Sequence, residues 1–215
     1  EGKYNLEVSF LGYVPATNPV NVRSNIIRRR DMQLSLFANL GHNENKLVKI
    51  SNSLKAYNDL VDQKYAELGN YDADAAKPFR KYEEGVSTTA ISAVKSHGID
   101  PATGDEIFLT KDGETTTEWK AEDQVVCGDA MPECSGTFGI NMDYRGIFLN
   151  MSFYYQFGGQ TYNQTLVDRV ENADVGLNVD KRIYNAVWKK PGDRVDFSYN
   201  PHRLTKPSSR FVQDL

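Results

Sequence analysis

The chain has 215 residues, 25 basic and 29 acidic side chains, and a net charge of −4. Phosphate recognition needs a concentrated basic surface, so this balance gives no reason to expect a nucleic-acid partner. No run of about 18 or more apolar residues occurs, which excludes a transmembrane helix but not the shorter, half-apolar strands of a membrane barrel.

Length permits one large domain or two small ones. No signal peptide precedes Glu1, which opens on a strand-like segment, so the sequence reads as a mature chain or an excised piece. Residues 1–50 have strand texture. YNLEVSFLGY alternates through Leu6, Val8 and Phe10, and MQLSLFANL alternates through Leu34, Leu36, Ala38 and Leu40. The basic run Arg28-Arg29-Arg30 meets Asp31 at once and reads as a solvated strand end or turn. A helix follows the turn-rich GHNENK. Ser51 or Ser53 can cap it, Leu54, Tyr57, Val61, Tyr65 and Leu68 share a face, and Gly69 supplies the stop.

Residues 70–135 are loop-rich. Asp100-Pro101 through Gly104 and Asp112-Gly113 are turn signals on either side of the strand EIFLT, which predicts a small hairpin or meander. Asp100, Asp105 and Glu106 lack the alternating ligands of a calcium loop. Cys127 and Cys134 flank GDAMPE. They are candidates for a disulfide in an oxidising compartment, or two unrelated thiols, and the spacing fits no zinc or redox motif.

The strongest pattern is TFGINMDYRGIFLNMSFYYQFGG, two alternating arms around Arg145-Gly146. Phe138, Ile140, Met142 and Tyr144 share a face with Ile147, Leu149, Met151, Phe153, Tyr155 and Phe157. Asn141, Asp143, Asn150, Ser152 and Gln156 lie on the other, with Phe148 and Tyr154. The apolar face must meet a protein core or lipid. Beyond it TLVDRVENA is helix-like, KRIYNAVW is a short amphipathic stretch stopped by Pro191-Gly192, and RFVQDL starts as a strand.

Catalytic constellations are missing from this reading. His42, His97 and His202 stand far apart in turn-like surroundings, without metal-ligand spacing. There is no nucleophile elbow, phosphate loop or dinucleotide fingerprint. Asp129, Glu83 and Glu84 are the acidic positions to inspect for a carboxylate pair, though loop solvation explains each of them. The sequons at Asn150 and Asn163 read as accidental, the first being inside a strand. No cofactor is implied, and the expectation is a non-enzyme.

Several segments together resemble the C-terminal barrel of the SusC/RagA family of TonB-dependent outer-membrane transporters. They are RRRDMQLSLFANLGHNENKLVKISNSLKAYN, GIDPATGDEIFLTKDG, GDAMPECSGTFGINMDYRGIFLNMSFYYQFGGQTYN, NVDKRIYNAVWKKPGD and KPSSRFVQDL. The third is the most specific, and the resemblance covers roughly residues 26–215. Residues 1–25, with EGKYNLEVSFLGY, resemble the family's small carboxypeptidase-regulatory-like β-domain. In the family a plug and most of the barrel separate these two parts, and here no plug or TonB-box candidate is visible. The expectation is therefore a fragment or an internally deleted form.

The resemblance implies a mainly β fold: antiparallel hairpins from a transmembrane β-barrel, with residues 51–135 and 160–205 as long extracellular loops carrying short helices. It also implies the outer membrane as location and lipid as the apolar neighbour. The partners would be a SusD-like surface lipoprotein and TonB, and the cargo an oligosaccharide or peptide. The alternative is a soluble β-rich surface glycan-binding module with the hairpin in a sandwich core. Trp119, Tyr162 and Trp188 are the candidate ligand-stacking aromatics, or else loop anchors. A hydrolase is the weaker third reading.

Overall fold

In a computed structural model the protein is described over residues 20–68, 72–174, 176, 178–198 and 204–215. The expectations for Leu6, Val8, Phe10, Gly69 and His202, and for residues 1–19 of the 1–25 segment, lie outside these residues.

The fold is mainly β and antiparallel, and its largest element is a four-stranded sheet. Its strands are β1 (Val20–Arg29), β2 (Met32–His42), β7 (Cys134–Tyr144) and β8 (Ile147–Phe157), in the order β1-β2-β7-β8. Three of them are 11 residues long and β1 is 10. The predicted hairpin closes as the sequence requires. Tyr144 pairs with Ile147, and Arg145 and Gly146 both have positive φ, 51° and 87°. That is the geometry of the type I′ turn, whose twist matches the strands it joins. Arg28 and Arg29 end β1, and Arg30-Asp31 form its turn into β2. The two tight turns sit side by side, since the Arg145 amide donates to the Asp31 carbonyl at 3.1 Å.

At the opposite ends of the strands the chain makes its long excursions. Between β2 and β7 come α1 (Asn52–Glu67) and a second sheet in the order β5-β4-β3-β6. This sheet comprises β3 (Ala90–Ile99), β4 (Glu106–Leu109), β5 (Thr115–Thr116) and β6 (Gln124–Asp129). After β8 come β9 (Gln160–Tyr162), α2 (Gln164–Leu166) running into a π-turn at Val167–Glu171, and α3 (Ile183–Ala186). β10 (Val212–Asp214) then pairs with β9. The meander expected around EIFLT is β3-β4-β5. Its turns use Gly104 and Gly113 at φ +79° and +85°.

Helix α1 follows its sequence signals. The Ser51 hydroxyl accepts from the Leu54 amide, and Val61 and Tyr65 are its buried residues. Tyr65 docks the following segment by accepting from the Phe79 amide at 2.8 Å and donating to the Lys77 carbonyl at 2.9 Å. Asn58 exchanges both amide hydrogen bonds with the backbone of Tyr82. The core lies in this loop-borne part. Ala76, Leu166, Val167, Val170, Val187 and Phe211 pack together, with Tyr162 edge-on to Phe211.

In the long sheet, β1 is the strand that alternation does not announce. Its register slips between Asn25 and Ile27, so an extra residue changes the phase at Ile26-Ile27 and interrupts the period of two.

Candidate functional site

Two features carry chemistry: the faces of the long sheet, and a buried ionic cluster beside a cavity in the loop-borne part.

The register of the long sheet sorts its residues into rows. Val22, Ala38, Phe138 and Phe153 are successive neighbours across the strands. So are Ile27, Leu34, Met142 and Leu149, while Ser24 continues the row of Leu36, Ile140 and Met151. These rows share one face. The alternate rows are Asn25, Ser35, Asn141, Asn150 and Arg23, Phe37, Gly139, Ser152. One face is therefore apolar across four strands, and the other carries amides, hydroxyls and charges together with the aromatics Phe37, Phe148 and Tyr154. The apolar face is uncovered: Phe138 is 48% exposed, Phe153 50% and Val22 59%. An apolar surface of this extent is an interaction surface. The rings of Phe138 and Phe153 stack at 5.3 Å, as cross-strand neighbours do. Gly136 leaves room for Tyr155 to lie across it and donate to the Asn39 carbonyl at 2.8 Å.

The ionic cluster joins three distant segments. Arg210 donates through Nε and Nη2 to the two oxygens of Glu106, both at 2.8 Å, and through Nη2 to Glu171 Oε1 at 2.7 Å. Its Nη1 donates to the Asp196 carbonyl at 2.6 Å. The Glu106 and Glu171 side chains are 4% and 3% exposed, so both carboxylates are out of water. Thr205 also donates to Glu171 Oε1, while Glu171 Oε2 has no hydrogen-bond partner among the described residues. Burial pushes the Glu171 carboxyl above its ordinary range, against the downward pull of Arg210. Burial also raises the Tyr162 phenol nearby, helped by the charges of Glu106 and Glu171. A cavity of about 260 Å³ adjoins the cluster, lined by Glu106, Phe108, Glu118, Trp119, Glu171 and Lys206 among others.

The three candidate aromatics are not brought together on one surface. Trp119 is half-buried, 5.1 Å from the Tyr65 ring, and its indole N–H donates to the Pro207 carbonyl at 2.9 Å. Trp188 donates to the Pro101 carbonyl at 3.0 Å and lies against Gly104, where a Cβ would collide with its ring. Tyr162 packs on Phe211 and donates to the Ala76 carbonyl at 3.3 Å. All three anchor loops, and of the three only Trp119 lines the cavity.

Cys127 and Cys134 are free thiols and do not form the candidate disulfide. Cys127 lies in β6 and donates to the Ala93 carbonyl, whereas Cys134 opens β7 opposite His42 in β2. The two cysteines thus belong to different sheets. The Cys134 sulfur is 3.6 Å from His42 Nδ1. His97 is exposed in β3.

Asp129 accepts from Thr89 Oγ1 and the Met131 amide, and Glu84 accepts from the Ile50 amide, so both organise loops. Glu83 is exposed. Asp100 caps its own turn, and Glu106 is committed to Arg210. Asn163 caps α2 through Leu166, and Asn150 sits within β8. Sequence reasoning did not single out Glu171 or Arg210, because no spacing rule links residues 39 positions apart.

No family model and no curated protein matches the chain. Solved structures do. The RagAB peptide importer in its open-open state aligns with a TM-score of 0.65 at 17% identity, over 91% of this chain and 20% of that one. The RagAB peptide transporter aligns at 0.65 and 18% identity, over 91% and 21%. The closed-closed state of the importer aligns at 0.63 and 17%, over 90% and 20%. The chain spans about a fifth of the length of the structures it matches. At these identities the likeness is one of fold.

Proposed function

We propose that the chain is a piece of the barrel wall and external loops of an outer-membrane, TonB-dependent nutrient transporter of the SusC/RagA type. The observation that carries the reading is the four-stranded sheet. Its strands are 10 or 11 residues long, with one uncovered apolar face and one face of mainly polar residues interspersed with Phe37, Phe148 and Tyr154. A strand of about 9–11 residues, tilted, spans the hydrocarbon of a bilayer. Tight turns at one end and long loops at the other are the layout of outer-membrane barrels, where the long loops face outward. The motif resemblance and the likeness to parts of the RagAB structures support the same reading.

On this reading the apolar rows face lipid and the amide-rich rows face a wet lumen. β1 and β8, the edge strands of the described sheet, then pair with further strands, because unpaired backbone groups in lipid cost several kcal/mol each. Residues 51–135 and 160–205 lie outside the cell, where a SusD-like lipoprotein would meet them, and the cargo is a peptide or oligosaccharide. The soluble glycan-binding alternative needs the apolar face to be buried in a sandwich. It is disfavoured because Phe138 and Phe153 are left half exposed.

Fractionation of cells expressing the native product tests the proposal. The protein is expected in the outer-membrane fraction, extracted only by detergent, with its 51–135 loop open to protease added outside. A product found only in the soluble periplasmic fraction would overturn it.

A further inference from the structure

The buried cluster of Glu106, Arg210 and Glu171 holds two carboxylates against one guanidinium. Arg210 bonds both oxygens of Glu106, but among the described residues only one oxygen of Glu171 has partners. Glu171 is 3% exposed and lines the cavity of about 260 Å³. A buried polar atom without a partner is costly, and the cost is greater where the surrounding charge is unbalanced. The rest of the cavity wall suits a group with a charged tip and an apolar stem. Phe108, Trp119 and Leu204 supply apolar surface in a wall that is otherwise polar, with Asn172, Ser198 and Thr205, while the carboxylate of Glu118 adds negative charge and the ammonium of Lys206 positive charge. An aromatic face attracts a cation within about 6 Å. Lys206 already uses that attraction, with its ammonium 5.9 Å from the Trp119 ring centre.

We propose that this cavity is a binding site for an alkylammonium group of side-chain size, such as a lysine side chain, with Glu171 and Glu118 as its anionic partners and Trp119 as its aromatic wall. At about 260 Å³ the cavity is smaller than the roughly 300 Å³ at which pockets for drug-sized ligands begin, which favours a side-chain-sized group over a whole oligosaccharide. A bare metal ion would leave the apolar walls without a role. Lys206 is the competing cation of the same wall, so it sets the affinity from the other side. The site is built from this chain's residues alone and can be tested without any transport measurement.

The experiment is a calorimetric titration of the intact protein in detergent with N-acetyl-lysine amide, beside N-acetyl-norleucine amide, which has the same stem without the charge. The lysine derivative is expected to bind at least about tenfold more tightly than the norleucine derivative. Glu171→Gln should remove that difference. Should Glu171→Gln fail to fold, Lys206→Met provides the second test, because removing the resident cation should tighten lysine binding several-fold. Equal affinities for the two ligands, no binding of either, or weaker lysine binding by Lys206→Met would each overturn the proposal. Outer-membrane fractionation is unaffected by any of these outcomes, so the failure of this site and the failure of the transporter reading are distinguishable.

Discussion

Arg210 and Glu106 form a side-on bidentate pair, with two parallel N–H···O contacts of 2.8 Å, although 104 positions separate them in the chain. The pair fixes the turn just before β10 against the start of β4, and the same guanidinium holds Glu171 at the π-turn. Removing the guanidinium leaves two carboxylates out of water without their ion-pair partner. Breaking a buried pair from one side costs about 3–5 kcal/mol. Arg210→Met is therefore expected to melt the loop-borne part well below the wild type in thermal unfolding of the detergent-solubilised protein. A midpoint unchanged within a degree or two would show that the cluster does not hold these segments together.

Glu171 gives that stability a pH dependence of definite sign. Its folded carboxyl is raised by burial, while an unfolded Glu titrates near about 4.3. The protonated form is thus favoured by folding. The contribution is fully present below the unfolded value and is lost as pH rises through the higher folded value. The difference in stability between wild type and Glu171→Gln, followed by denaturant midpoint from acid to neutral pH, should shift in favour of the Gln variant as pH rises. A flat difference across that window would contradict the assignment.

The long hairpin was legible because nothing interrupts its alternation, and its turn residues meet a geometric need that few side chains meet. The helix from Asn52 was legible for the same reason: a capping serine and a repeating apolar face are local properties. β1 was not, because the slip after Asn25 puts Ile26 and Ile27 in sequence and hides the period. The aromatics Trp119, Tyr162 and Trp188 stood out by type, yet type alone does not distinguish a stacking platform from a loop anchor. Their partners are backbone carbonyls 86–88 residues away in sequence. The ionic cluster was invisible for a stronger reason. Glu106, Glu171 and Arg210 are ordinary surface-type residues, and only tertiary packing removes their water.

The Arg145-Gly146 turn makes its own prediction. Gly146 has φ +87°, and a Cβ there meets no neighbour within 4 Å, so substitution is penalised by backbone conformation alone. Gly146→Ala should destabilise the hairpin by about 1 kcal/mol. Arg145, at φ +51°, is the non-glycine residue with positive φ among those described. Asn tolerates that region better, so Arg145→Asn should be neutral to stabilising. Denaturant midpoints of the two variants in detergent check the pair, and a stabilising Gly146→Ala would contradict the turn geometry.

Asn150 and Met151 are adjacent in β8 and point to opposite faces, which makes them the sharpest test of where lipid lies. Met151 pairs with Ile140 near the middle of the strand, and Asn150 pairs with Asn141 on the polar side. An arginine facing lipid near the midplane costs about 2–4 kcal/mol, whereas one facing a wet lumen costs little. Met151→Arg is therefore expected to lower the folded, heat-modifiable fraction in outer-membrane preparations sharply, and Asn150→Arg to leave it near the wild-type level. Met151→Leu, which keeps an apolar side chain of similar size, should behave as wild type and separates lipid exposure from loss of packing. Equal tolerance of arginine at both positions would place water on both faces. The apolar rows would then need a protein partner instead of a bilayer, and the sheet would be a docking surface rather than a wall.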